Sequence, residues 1–112
     1  MTITVRKAGN VAILDLVGPL KMGDAEMAFR ERVDELINAG TRQLAINLAG
    51  VPEMDSSGIG ALVRVFSAVK TAGGKCKLFG APKRVRQTLK MVRLDNVLEL
   101  VEDEAAALAD LA

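Results

Sequence analysis

The 112-residue chain contains no histidine, no tryptophan and no tyrosine, and it has a single cysteine. Each absence removes a class of chemistry. A serine nucleophile of the usual triad hands its proton to an imidazole, so Ser-His-Asp catalysis is excluded within this chain. A serine–lysine pair would need a lysine tied to one serine, and no spacing singles such a lysine out. Cys76 alone cannot close an intrachain disulfide. With no imidazole and only scattered carboxylates there is no ligand set for zinc or another transition metal, and no cofactor is implied. The setting of Cys76, between Lys75 and Lys77 and ahead of Leu78 and Phe79, reads as an inward position on a strand. Aromatic content is 3%, limited to Phe29, Phe66 and Phe79. That is too little for the stacking platforms of single-strand nucleic-acid binders, and each phenylalanine falls in an apolar pattern that assigns it to the core.

An excess of one charge is missing too. Fifteen basic against fourteen acidic side chains leave a formal net charge of +1, too small to steer the chain onto DNA or an anionic membrane. No apolar segment is long enough to span a bilayer, and no apolar run follows a basic start, so the expectation is a cytoplasmic protein without membrane insertion. Gly58, Ile59, Gly60 is only a fragment of a dinucleotide-binding pattern. No Gly-Lys-Ser/Thr occurs, so nucleotide hydrolysis lacks its phosphate loop. One local cluster stands out: Lys83, Arg84, Arg86, Lys90 and Arg93 surround Val85, Leu89 and Val92. The apolar steps of four and three mark the buried face of a short helix and leave the cations outside, as a solvated face or as a surface for an acidic partner or anionic lipid.

What is present is enough for one α/β domain over residues 1–112, since half of the residues, 50%, are hydrophobic and 26% are charged. Ile3 and Val5 alternate with polar residues, Ala8-Gly9-Asn10 supplies turn chemistry, and the apolar run 11–17 follows. These predict an N-terminal β-hairpin. Gly18 and Pro19 stop the second strand, and a helix starts near Asp24 with Ala25, Phe29, Val33, Leu36 and Ile37 inward, closed by Gly40. Strand and helix then alternate: strand 43–48, helix 57–71, strand 75–79, helix 82–92, strand 97–101, and a helix from 103 to the C-terminus. This order implies a mostly parallel sheet joined by right-handed crossovers, with helices packed against it.

Between the third strand and the next helix lies Met54, Asp55, Ser56, Ser57, Gly58, Ile59, Gly60. Downstream, Ile59, Leu62, Val63, Phe66 and Val69 recur at helical steps, so the serines sit at a helix start. There, unpaired N–H groups and the positive end of the helix dipole favour an oxygen acceptor, whether from a capping side chain or an added phosphate. Asp, Ser and Gly all suit a helix N-terminus; Ser57 is one candidate for the side-chain cap, and a helix start leaves the Ser56 hydroxyl reachable. Ala61, Val65 and Ala68 make a second apolar line on this helix, either a contact surface or packing against a neighbouring helix.

In order and topology the chain resembles the STAS family of bacterial anti-sigma factor antagonists. The likeness rests on Asp55-Ser56-Ser57-Gly58-Ile59-Gly60 directly before a helix. It is supported by Gly18 and Leu20 after the second strand, Asn47 and Leu48, Gly73 and Gly74, and Asp103-Glu104-Ala105-Ala106 opening the last helix. The resemblance implies that Ser56, which follows the motif aspartate, is phosphorylated by an anti-sigma factor serine kinase and reset by a serine phosphatase. It also implies that the chain is a switch rather than an enzyme. The implied partner surface comprises Lys21, Met22, Asp55, Ser56, Ser57, Gly58, Ile59 and Arg64, with no direct nucleic acid; self-association stays open. Many members carry Gly-Glu-Leu-Asp where this chain has Gly18-Pro19-Leu20-Lys21, a base in place of an acid. The alternative is a STAS subunit or scaffold of another signalling or lipid-transport assembly, with no sigma-factor partner.

Overall fold

The computed structural model describes residues 1–111. Strands β1 (Thr2–Ala8) and β2 (Val11–Val17) form the hairpin across a Gly9-Asn10 turn. Then follow α1 (Asp24–Asn38), β3 (Gln43–Gly50), α2 (Ser56–Thr71), β4 (Lys75–Phe79), α3 (Lys83–Met91), β5 (Leu100–Val101) and α4 (Glu104–Leu111). The five strands lie in the order β1-β2-β3-β4-β5, antiparallel only in the hairpin. The expected architecture is the one the chain adopts.

Alternation along the strands sends side chains to two faces. Ala12, Leu14, Leu16, Leu44, Ile46, Leu48, Cys76 and Leu78 pack with α1, α2 and α3, whereas Val11, Ile13, Ala45 and Phe79 pack with Ala107 and Leu111 of α4. Burial on both sides explains why residues 11–17 read as a nearly unbroken apolar run. Asp15, the one acid in that run, is partly buried and takes two partners. It pairs with Arg6 at 2.6 Å and accepts from Asn47 Nδ2 at 2.8 Å, while Arg6 also reaches Glu104 at 2.7 Å and ties α4 to the hairpin.

Several local expectations are corrected. Strand β3 runs to Gly50 rather than to residue 48, and Pro82 is the N-cap of α3 instead of lying in its first turn. The strand expected at 97–101 shrinks to Leu100–Val101. Leu98 donates to the Leu94 carbonyl at 2.9 Å, and Arg93 and Glu99 have φ of 60° and 52°, so the chain turns through this stretch. Val92 is exposed, while Leu98 takes the buried place beside Val85 and Leu89. The last helix opens at Glu104, and its expected end at Ala112 lies outside the described residues.

Helix α2 buries Leu62 and Val69 of the expected stripe and adds Ala61 and Val65 of the second line, while Ile59, Val63 and Phe66 are only partly buried against the core. The reason is α1, which lies alongside α2 and covers its second apolar line. Phe66 sits at the edge, with the Lys70 ammonium 5.4 Å from its ring centroid. On α1, Phe29, Val33 and Leu36 are buried as expected, Ala25 and Ile37 partly so, and Glu26 is buried where no acid was expected inside.

Candidate functional site

Beyond the ends of β2 and β3 the two chains continue side by side. Gly18 donates to the Gly50 carbonyl at 2.9 Å, Leu20 to the Glu53 carbonyl at 3.1 Å, and Asp55 to the Leu20 carbonyl at 3.3 Å, and Leu20 and Met54 form a parallel bridge. Leu20 is fully buried and anchors the loop. This pairing lays residues 20–22 against the start of α2.

Asp55 is the N-cap of that helix, rather than the candidate Ser57. Its Oδ1 accepts the Gly58 N–H at 2.9 Å, and its Oδ2 accepts the Met22 N–H at 3.0 Å. The Met22 donor, then that of Gly58, holds the carboxyl below the usual carboxylate range. A carboxylate suits this position better than a hydroxyl because its two oxygens serve two backbone donors at once. Gly58 makes the close approach possible: a Cβ there would lie 2.0 Å from the Leu20 carbonyl oxygen. With the cap supplied by Asp55, Ser56 is exposed as the first residue of α2 and Ser57 is partly buried.

Ser56, Ser57, Gly60, Arg64 and Glu26 line one hollow of ≈ 270 Å³. The buried Glu26 carboxylate meets Arg30 Nε at 2.8 Å and Arg64 Nη1 at 3.5 Å, joining the first turns of α1 to the outer face of α2. On the other side of the helix start, Lys21 pairs with one oxygen of Glu53, and Arg84 Nη2 lies 3.3 Å from the other. Lys21 is the main cause holding the Glu53 carboxyl low.

The structure therefore brings Lys21, Met22, Asp55, Ser56 and Ser57 to one end of the molecule, with Arg64 connected through Glu26. Met22 is 75% exposed, an unusual setting for a large apolar side chain. Gly58 is buried and Ile59 is partly buried against the core, so these two position the helix more than they offer contact area. Glu26 and Glu53 are absent from the residues chosen by sequence, and Arg84 was singled out only as part of the basic helix, apart from this site. The Glu26–Arg30 spacing of four was a readable sign of a helical ion pair; its burial was not. Chemically, the end displays a hydroxyl whose neighbouring groups are already paired: Asp55 with two N–H groups, Glu26 with Arg30 and Arg64, and Lys21 with Glu53.

This arrangement of a hairpin, a parallel sheet and an Asp-capped serine helix start agrees with a match of the STAS domain profile to residues 2–107. The chain belongs to the STAS family. The STAS domain is 26% identical over 102 residues to a Thermotoga neapolitana protein described as an anti-sigma factor antagonist, covering 91% of this chain and 90% of that protein. Its fold is that of a Thermotoga maritima crystal structure described in the same words, with a TM-score of 0.90, 22% identity, and 97% and 93% of the two chains covered. It is similar also to the Bacillus cell fate determinant SpoIIAA in its phosphorylated form, with a TM-score of 0.76, 18% identity, and 99% and 100% covered. Among the described residues no helix is long and apolar enough to cross a membrane.

Proposed function

We propose that this STAS domain is a cytoplasmic anti-sigma factor antagonist switched at Ser56. Unphosphorylated, it binds an anti-sigma factor that is also a serine kinase, and the sigma factor is released. The kinase transfers the γ-phosphoryl group of ATP to the Ser56 oxygen, the hydroxyl proton passing to a base on the kinase and ADP leaving, and the complex separates. A serine phosphatase hydrolyses the phosphate and resets the switch. The observation that carries this reading is Ser56 itself, exposed at the head of α2 and held there by the Asp55 cap. The relatives described as antagonists, and a related fold known in a phosphorylated form, support it.

The energetics separate folding from binding. A phosphate carries about −1.5 to −2 charges at neutral pH and gains roughly 0.3 to 1 kcal/mol from a helix dipole, so the isolated domain tolerates it. In an interface the same charge loses water beside the Asp55 carboxylate, and a loss of about 3 kcal/mol would lower affinity roughly a hundredfold. Calorimetric titration against the anti-sigma kinase tests the order of affinities. Ser56→Ala should bind closest to the unmodified protein, Ser56→Asp more weakly, and the phosphorylated form most weakly. Equal binding by the phosphorylated and unmodified proteins would transfer the assignment to a STAS subunit of another signalling or lipid-transport assembly.

A further inference from the structure

Ser56, Gly60 and Arg64 follow one another at four-residue steps on one side of α2, about 12 Å from first to last, and all three border the hollow that contains Glu26. Long side chains on a helix lean toward its N-terminus, which aims Arg64 along this line at Ser56. The Arg64 side chain is 65% exposed, and its ion pair with Glu26 is a 3.5 Å contact. Between them lies Gly60, a glycine in a helix interior, where it is less favourable than alanine. Neither crowding nor a left-handed backbone explains it: a Cβ at Gly60 would meet nothing within 4 Å, and its φ is outside the positive range. Its effect is to leave the track from Ser56 to Arg64 open.

We propose that Arg64 is the phosphate clamp of the switch, exchanging Glu26 for the phosphoryl group on Ser56. This rests on Ser56 being the phosphorylated residue. Of the neighbouring donors, the Gly58 N–H is taken by Asp55, Lys21 is paired with Glu53, and Arg30 lies 2.8 Å from Glu26; the first-turn N–H groups that Asp55 does not take share the phosphate with Arg64. The contact of Arg64 with Glu26 is the longer one, 3.5 Å, so the exchange leaves the buried Glu26 carboxylate paired with Arg30 and strands no buried charge. A phosphate offers the guanidinium fork two acceptors, a stronger match than one distant carboxylate oxygen. Arg64 also borders the groove between α1 and α2, beside Met27, Arg30 and Asp34. Its departure changes that surface along with the charge at Ser56.

The test is a phosphorus NMR titration of the full chain with phosphoserine incorporated at position 56 during translation. The groups around the phosphate are Glu26 and Asp55, which raise its second pKa, and Arg64 and the open N–H groups of the first turn of α2, which lower it. An ordinary phosphoserine titrates near about 6. With the clamp in place the value should fall by roughly half a unit or more, return upward in Arg64→Gln, and stay low in Arg64→Lys, which keeps the charge. Glu26→Gln should lower it further by freeing Arg64. Identical titration in the wild type and Arg64→Gln, both with native melting curves, would overturn the clamp. If Arg64→Gln does not fold, a phosphate that titrates at or above its ordinary value in the wild type and does not respond to Glu26→Gln overturns it as well. These measurements need no partner protein. A phosphate that abolishes partner binding without sensing Arg64 removes the clamp alone, and one that senses Arg64 without affecting binding removes the switch alone.

Discussion

Asp55 and Met22, 33 residues apart in sequence, are joined by a hydrogen bond: one carboxylate oxygen accepts the Met22 N–H at 3.0 Å while the other caps α2 at Gly58. The loop after β2 and the start of the serine helix therefore share a single side chain. Asp55→Asn keeps an acceptor for Gly58 but turns an amide NH₂ toward the Met22 donor, whereas Asp55→Ala removes both contacts. The alanine variant should melt roughly 4 to 8 °C lower, with the asparagine variant between it and the wild type. Amide exchange should quicken at Met22 in both variants and at Gly58 only in alanine.

Acid should loosen the same contacts. Asp15, chiefly through Arg6, and Asp55, chiefly through Met22, hold their carboxyls below the ordinary 3.8. Unfolding returns both toward that value, so the unfolded chain binds more protons in this window. Their contribution is complete above about pH 5 and is lost as the pH falls through the folded values. Urea midpoints measured from pH 6 to pH 2 should drop steeply at the acid end, and less steeply in Asp55→Asn and in Asp15→Asn.

Gly58 and Gly60 should respond in opposite directions to alanine. At Gly58 the new methyl meets the Leu20 carbonyl oxygen at 2.0 Å, a backbone atom that cannot swing away, and the expected loss is about 1 to 3 kcal/mol or more. At Gly60 the space is open, and better helix propensity should add about 0.5 to 1 kcal/mol. Urea unfolding of the two variants checks the pair. A neutral Gly58→Ala would mean that loop and helix are not pressed together.

Reversing the charge at Lys21 should act on binding more than on folding. Lys21→Glu places two carboxylates side by side at Glu53, but Arg84 remains within 3.3 Å of the latter, and all three groups are solvent-accessible. The melting midpoint should move by no more than about 4 °C. Partner affinity should change measurably. Equal affinity for every partner tested would remove the loop at 20–22 from the interface.

Cys76 should be silent in the folded protein. Burial pushes its thiol up to about 12 and closes access to reagents. A thiol-specific disulfide reagent at pH 8 should leave the native chain unmodified and titrate one thiol in denaturant. Rapid reaction of the native protein would place Cys76 outside the core.

The boundaries most legible in the sequence depend on neighbours a few positions away. The hairpin follows from alternation around Gly9-Asn10, and the exposed serine at a helix start follows from Asp55-Ser56-Ser57-Gly58 after an apolar strand. The strand expected at 97–101 shows the limit of that reasoning. Its composition suits a strand, but the turn closed by Leu98 on Leu94 leaves only Leu100 and Val101 to pair.

The sequence by itself determined the order of elements and the presence of an acid, two hydroxyls and a glycine at the head of α2, because periodicity and turn chemistry act locally. Only the tertiary structure decided which of them caps. Asp55 and Ser57 are both competent caps, and the choice follows from the Met22 N–H, which β2–β3 pairing delivers to a carboxylate from 33 residues away. The same holds for α2, apolar around much of its circumference, whose buried line is selected by α1. Glu26 reads as an ordinary first-turn acid until α1 and α2 come together. Their packing buries its carboxylate between Arg30 and Arg64, because a charge drawn into a helix–helix contact must keep its counter-ions.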